Sequence, residues 1–147
     1  MLLPVQAAAP PNGLLTATFV IGRILFAWIF ILSGIAHLTQ AQAMSQYAAM
    51  FKVPQPKAAV IVSGLMILFG GLSILLGVEV DLGAALLVLF LVPVAIYMHP
   101  FWGLSDPMQA ATQRAHFLKN LSLAGAALLI CYFTSVAPDA WVLALRK

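Results

Sequence analysis

Hydrophobic positions form four long runs along the chain, and short polar segments separate them. Each run approaches the length of about 20 apolar residues that a helix needs to cross the roughly 30 Å hydrocarbon core of a bilayer. The pattern predicts an all-α fold, an integral membrane four-helix bundle with very little outside the bilayer. The predicted spans are residues 14–38, 58–78, 82–98 and 118–137, with tails at 1–13 and 138–147.

The connections between the spans differ in length and composition. Segment 39–57 is polar and contains Pro54 and Pro56, so we predict a loop there. Glu79–Asp81 is a short acidic turn, which predicts that spans two and three form an antiparallel hairpin. Small residues in a membrane helix allow a neighbouring helix to approach closely. Those in span two are Ser63, Gly64, Gly70, Gly71, Ser73 and Gly77.

The fourth helix is predicted to begin well before its apolar part. Asp106 followed by Pro107, with Gln109 three positions after the aspartate, has the form of a helix N-cap, an N1 proline and a capping-box partner. Because the apolar run starts only at Leu118, about three polar turns should lie on or above the membrane surface. The fold prediction therefore includes a polar N-terminal extension of the fourth helix.

Composition supports a membrane protein and excludes several classes of function. Hydrophobic residues make up 63% of the chain and charged residues 7%, far from the balance of soluble domains. The net charge of +3 is scattered without a basic run, which argues against nucleic-acid binding. The single cysteine, Cys131, excludes internal disulfides and CxxC redox motifs. No common motif of soluble catalysis occurs, so catalytic residues remain unknown.

The distribution of basic residues gives a prediction of orientation. Four spans place both termini on one side of the membrane and the 39–57 and 99–117 connections on the other. The N-terminal tail has no Lys or Arg, so we expect no cleaved signal peptide and a retained first span. The longer connections are predicted to be cytoplasmic because they carry Lys52, Lys57, Arg114 and the helix-entry residue Lys119.

Arg23 is an ionisable residue inside a predicted span, which costs at least about 2.5–3.5 kcal/mol on insertion scales. One interpretation is an anchor that snorkels to the interface or pairs with Glu79 or Asp81. The other is a role in binding an anionic or carbonyl-bearing ligand.

All three histidines, His37, His99 and His116, fall on the same predicted membrane face. Gln109, Gln113, His116 and Asn120 are spaced by four, three and four residues, so they share one helical stripe, with Lys119 beside it. With Ser33, Tyr97 and Trp102 nearby, these residues predict a pocket that opens on the loop side.

Other interpretations of this polar end remain open. The stripe on helix four could face solvent or headgroups, or the histidines could bind a metal. No HxxxH pair or carboxylate cluster supports a metal, so none is predicted. Neutral imidazoles beside Lys and Asn can bind carbonyl oxygens and exchange protons near neutral pH, as quinone chemistry requires.

Three segments together resemble the DoxX family. They are GRILFAWIFILSGIAHL in span one, HPFWG after span three and RAHFLKNLSLAGAALLI in span four, within a resemblance that covers residues 17–136. Family members often carry Lys where this chain has His37, so a role that needs a permanent charge there is not implied. The resemblance implies a small prokaryotic four-helix membrane protein, and founding members are linked to a thiosulfate:quinone oxidoreductase.

The leading functional hypothesis is a multi-pass subunit of a redox system in the prokaryotic inner or plasma membrane. It would contact quinone or a small metabolite, hold no covalently bound cofactor and work with a soluble oxidoreductase partner. The alternatives are a non-catalytic membrane anchor or assembly factor and a small transporter. Besides the lipid bilayer, a second copy of the chain is a candidate partner. The ligand-binding candidates are Arg23, His37, His99, Trp102, His116, Lys119 and Asn120.

Overall fold

The structure, a computed structural model, describes residues 13–137 and Trp141. Apart from Gly13 and Trp141, the tails predicted at residues 1–13 and 138–147 lie outside the described residues. The described part of the chain forms five α-helices and no strand. They are α1 (Gly13–Thr39), α2 (Ala41–Met50), α3 (Pro56–Leu76), α4 (Val80–Met98) and α5 (Pro107–Val136).

Four of these helices, α1, α3, α4 and α5, are long and apolar enough to cross a membrane. Each contains most of one predicted span, so the all-α membrane bundle is confirmed. A backbone in lipid must satisfy its hydrogen bonds internally, which is why each apolar run forms one continuous helix.

The first part of the 39–57 connection was wrongly predicted as a loop, since residues 41–50 form α2. Its sequence, AQAMSQYAAM, is rich in Ala, Gln and Met, which favour helix. Ser45 and Ala48, three residues apart, are buried as α2 packs against α3. Burial of this face stabilises a helix whose other side is polar.

The predicted start of the fourth membrane helix is confirmed. α5 begins at Pro107, and the Asp106 side chain accepts a hydrogen bond from the backbone N–H of Met108 at 2.8 Å. The cap satisfies one of the backbone donors that the first turn of a helix leaves unpaired. α5 therefore starts well before its apolar part and brings polar residues to the end of α4.

The helices pack in the order α1, α3, α4, α5, each against the next, and α2 lies on the α1–α3 pair. The core contains Phe30 of α1, Ile67 of α3, Leu87 of α4 and Ala127 of α5. α1 and α3 approach closely where a Cβ added at Gly64 would lie 2.6 Å from the His37 Cβ. The prediction of small-residue packing is confirmed at this position, and the contact fixes the backbone beside His37.

The predicted hairpin of spans two and three is also confirmed. Gly77 ends α3 in the left-handed conformation, at φ 71°, which favours glycine. The Ser73 hydroxyl donates to the backbone carbonyl of Glu79 at 2.8 Å and so ties the end of α3 to the start of α4. The turn lies at the membrane face opposite to α2 and the α4–α5 connection.

Candidate functional site

A cavity of about 730 Å³ lies at the end of the bundle where α1 and α4 finish. Small-molecule sites usually have volumes of about 300–1,000 Å³. The cavity walls come from the last turns of α1, from α2, from the first turns of α3 and from the second half of α4. Among the described residues that line it, none is Asp, Glu, Lys or Arg, so its polar side chains carry hydroxyls or imidazoles.

The cavity extends along α4 from His99 to Leu89. Ten residues of helix correspond to about 15 Å, half the thickness of the hydrocarbon core. The histidines lie at the membrane surface end, and the deeper wall consists of Met66, Leu89 and Phe90. This shape suits an amphiphile with a polar head at the surface and an apolar tail that reaches toward the bilayer centre.

His37 contributes an imidazole to the cavity from the last turns of α1. Its Nδ1–H donates to the backbone carbonyl of Ser33 at 2.8 Å, and a carbonyl oxygen can only accept. The bond places the ring proton on Nδ1 and leaves Nε2 as an acceptor in the neutral imidazole. The ring is also held edge to face with Phe90, at a centroid distance of 5.9 Å.

His99 contributes a second imidazole immediately after α4. Its Nδ1–H donates to Gln113 Oε1 on α5 at 2.9 Å. Partial burial lowers the pKa of His99; the bond to Gln113 opposes this effect, while the charges of His116 and Lys119 lower the pKa further. The neutral imidazole is thus favoured, with its proton on Nδ1 and its Nε2 as an acceptor.

The polar stripe on α5 turns toward α4 rather than wholly toward solvent. Gln113 binds His99, and the His116 ring stacks on the His99 ring at a centroid distance of 5.1 Å. Asn120, four residues further on, is only 6% exposed, whereas Gln109 is exposed. The structure therefore brings Gln113 and His116 into contact with His99, and the charge of the exposed Lys119 also acts on His99. The cavity lining contains none of these three residues.

Trp102 lies in the α4–α5 connection, outside the cavity lining. Its ring packs edge to face with Phe101 and Phe117, at centroid distances of 5.3 Å and 6.0 Å. Ser33 takes part through its backbone carbonyl, which accepts from His37. Tyr97, expected nearby, does line the cavity.

Arg23 lies toward the other end of the bundle, away from the cavity. Its guanidinium carbon is 5.8 Å from the centroids of the Phe19 and Trp141 rings, a cation–π arrangement. Of the two acids predicted to pair with it, Asp81 accepts a hydrogen bond from the Thr134 hydroxyl. The anchor interpretation fits these ring contacts, and pairing with either acid stays a prediction.

Sequence reasoning missed the contribution of α2 to the site. Tyr47, Met44 and Ala48 of α2 line the cavity beside Pro54. A signal was available, because Ala41, Met44 and Ala48 repeat at helical spacing and no Gly or Pro interrupts residues 41–53. Within residues 13–137 and Trp141, no group of three or more His, Cys, Asp or Glu side chains is arranged to hold a metal ion.

Comparison with known families decides which one this bundle represents. The DoxX family model matches residues 18–100, more than half of the chain. The chain belongs to the DoxX family. No curated protein and no solved structure matches it.

The DoxX match covers most of α1 and the whole of α2, α3 and α4. Every residue that lines the cavity lies within it, as does Arg23. Trp102, His116, Lys119 and Asn120 lie beyond the matched residues, so the resemblance of α5 to DoxX proteins stays a prediction. A multi-pass DoxX membrane protein with an apolar cavity at one end is thus established as the framework for function.

Proposed function

We propose that this DoxX protein is a membrane subunit of a redox system and binds a quinone-class amphiphile in the cavity between α1, α2, α3 and α4. A soluble oxidoreductase partner would carry the electrons, and the prokaryotic cell membrane would be the location. The observation that carries the proposal is the 730 Å³ cavity, apolar at depth and bordered by two imidazoles at the membrane surface.

The chemistry of the lining supports this class of ligand. An isoprenoid or alkyl tail gains about 25 cal/mol for each Å² of apolar surface removed from water, and the Met66, Leu89 and Phe90 wall offers such a surface. His37 and His99 provide fixed hydrogen-bonding groups for a ring oxygen. Formally charged side chains are missing from the described lining, which fits an uncharged head better than a phosphate.

The proposal does not give every residue of the initial set a direct contact with the ligand. His37 and His99 would contact the ligand, whereas Gln113, His116 and Lys119 would act through His99. Arg23 lies outside the proposed ligand site because its ring contacts are with Phe19 and Trp141.

The test is a binding measurement with the protein in lipid nanodiscs. Benzoquinone and naphthoquinone probes with ten-carbon tails would be titrated in their oxidised and reduced forms. Ala59→Phe, which fills the cavity from α3, should weaken binding by at least about tenfold, a loss of about 1.4 kcal/mol. Val62→Phe on the same helix is the matched control, because Val62 is 55% exposed and outside the lining.

Two results would contradict the proposal. One is the absence of saturable binding of any probe to a folded protein, which would favour the membrane-anchor alternative. The other is equal loss of binding in Ala59→Phe and Val62→Phe, which would place the ligand elsewhere.

A further inference from the structure

Both histidines at the cavity have the same ring nitrogen, Nδ1, engaged in a hydrogen bond within the protein. The His37 Nδ1–H is committed to the backbone carbonyl of Ser33 at 2.8 Å. The His99 Nδ1–H is committed to the side-chain oxygen of Gln113 at 2.9 Å. A neutral imidazole has one donor and one acceptor nitrogen, so each ring keeps only the acceptor, Nε2, for a ligand.

Two acceptors at the head of the cavity are complementary to hydroxyl groups and not to carbonyl groups. A hydroxyl donates its proton to Nε2, whereas a carbonyl oxygen would oppose one lone pair to another and leave both groups unpaired. A partly buried polar group without a partner is costly, which is how a hydrogen-bonding site rejects an analogue of the same shape.

We propose that this cavity selects the hydroxyl form of its ligand, the quinol, over the carbonyl form, the quinone, because His37 and His99 both offer acceptor nitrogens. The inference rests on the proposed function and specifies the redox form that the site holds. Gln113 would be a positioning residue, since its bond to Nδ1 fixes the tautomer of His99.

The other polar groups of the cavity do not reverse this preference. Tyr47, Tyr97 and Ser63, which carry hydroxyls, also line the cavity. The Ser63 hydroxyl donates to the Val60 carbonyl at 3.0 Å, so it too is left as an acceptor. A tyrosine hydroxyl both donates and accepts, and therefore fits either form. The preference between the quinol and the quinone therefore depends on the imidazoles of His37 and His99.

The environment of His99 is consistent with an acceptor role. Its burial and the charges of His116 and Lys119 on α5 disfavour a second ring proton, and Gln113 is the group that opposes them. A protonated imidazole would be a donor at both nitrogens and would lose the preference. The preference should therefore be strongest above neutral pH, where imidazoles are neutral in general.

The experiment compares three forms of one probe in nanodiscs that contain the full chain, at pH 8 under argon. They are a decyl-substituted benzoquinone, its hydroquinone and the dimethyl ether of that hydroquinone. The ether keeps the ring and tail but cannot donate a hydrogen bond. The hydroquinone should bind on the order of tenfold more tightly than the other two, as two hydrogen bonds of ordinary net strength allow.

Variants identify the groups responsible. In His37→Gln and His99→Gln the new amide can donate through its NH₂ group, so the preference for the hydroquinone should fall toward one. His37→Phe should weaken hydroquinone binding and leave quinone binding nearly unchanged. Val62→Phe is the control, because Val62 is 55% exposed and lies outside the cavity lining.

The outcomes separate this inference from the proposed function. If the quinone binds saturably and as tightly as the hydroquinone or more tightly, the selection of the hydroxyl form is wrong. The proposed binding site would still be supported. An unchanged preference in the two glutamine variants overturns the role of the imidazoles. Failure of all three probes to bind removes the proposed function as well. The comparison of hydroquinone with ether in the unaltered protein remains decisive if a variant does not fold.

Discussion

His99 shows how one side chain can be set by groups from two helices. It follows α4, yet its ring contacts come from Gln113 and His116 of α5. Burial, with help from His116 and Lys119, lowers its pKa and favours the neutral ring. Since the folded protein disfavours the charged form, the stability that His99 contributes is present above the ordinary histidine pKa of about 6.5 and is lost as the pH falls below it.

Lys119→Gln should therefore raise the pKa of His99, because it removes one of the charges that lower it. The measurement is an NMR titration of the His99 ring in labelled protein. Arg114→Gln is the matched control, since it also removes a positive charge from α5 but is not among the groups that shift His99. A pKa that is unchanged in Lys119→Gln, or equally raised in both variants, would contradict this account.

The sequence placed the three histidines at one membrane face, but it did not distinguish their roles. His37 and His99 line the cavity, whereas His116 contacts it only through His99. The spacing of residues gives the face of a helix that a side chain occupies. It does not give the rotation of that helix against its neighbours, which depends on packing across the bundle.

At the scale of helices, the packing of α1 on α3 holds the His37 wall of the cavity in place. Gly64 allows this contact because the His37 Cβ occupies the space that a side chain would need. Overpacking a close helix contact typically costs about 1–3 kcal/mol. The site therefore depends on a residue that has no side chain.

Gly64→Ala should lower the stability of the bundle by about 1–3 kcal/mol, since the new Cβ would lie 2.6 Å from the His37 Cβ. Thermal or denaturant unfolding in lipid–detergent micelles, followed by circular dichroism, measures this change. Gly125→Ala is the control, because nothing lies within 4 Å of a Cβ built there, and it should be neutral or slightly stabilising. Equal effects of the two substitutions would show that α1 and α3 do not meet as described.

The long helices could be predicted and α2 could not, for a physical reason. An apolar run of span length has few alternatives to a membrane helix, and the N-cap at Asp106 is a local hydrogen-bonding signal. α2 has ten residues and a mixed surface, so its stability comes from contact with α3. Because α2 forms one wall of the cavity, the missed helix also concealed the shape of the site.

At the scale of the whole molecule, two spans, α3 and α4, separate α2 from the α4–α5 connection. The chain crosses the membrane twice between them, so both lie on the same side. The basic residues Lys52, Lys57, Arg114 and Lys119 predict that this side is cytoplasmic. The α3–α4 turn would then face outward. The bundle thus has two chemically different ends, one acidic and one with imidazoles.

Cysteine labelling tests both the four-span topology and the predicted orientation. In a Cys131→Ala background, Gln40→Cys and Ser105→Cys should be protected from a membrane-impermeant maleimide in intact cells, and Val78→Cys should react. All three positions are exposed on connections between helices. Reaction of Gln40→Cys and Ser105→Cys from opposite sides would contradict the four-span topology, whereas reversal of all three would contradict only the orientation.

The rim of the cavity includes Leu89, Pro93 and Tyr97, which are exposed on a membrane-spanning helix. Leu89, the middle residue of α4, is 64% exposed. A ligand of the proposed class would therefore arrive by diffusion in two dimensions and would not need to pass through water. Occupancy would follow the mole fraction of the ligand among the lipids, so a cell could fill or empty this site by changing membrane composition alone.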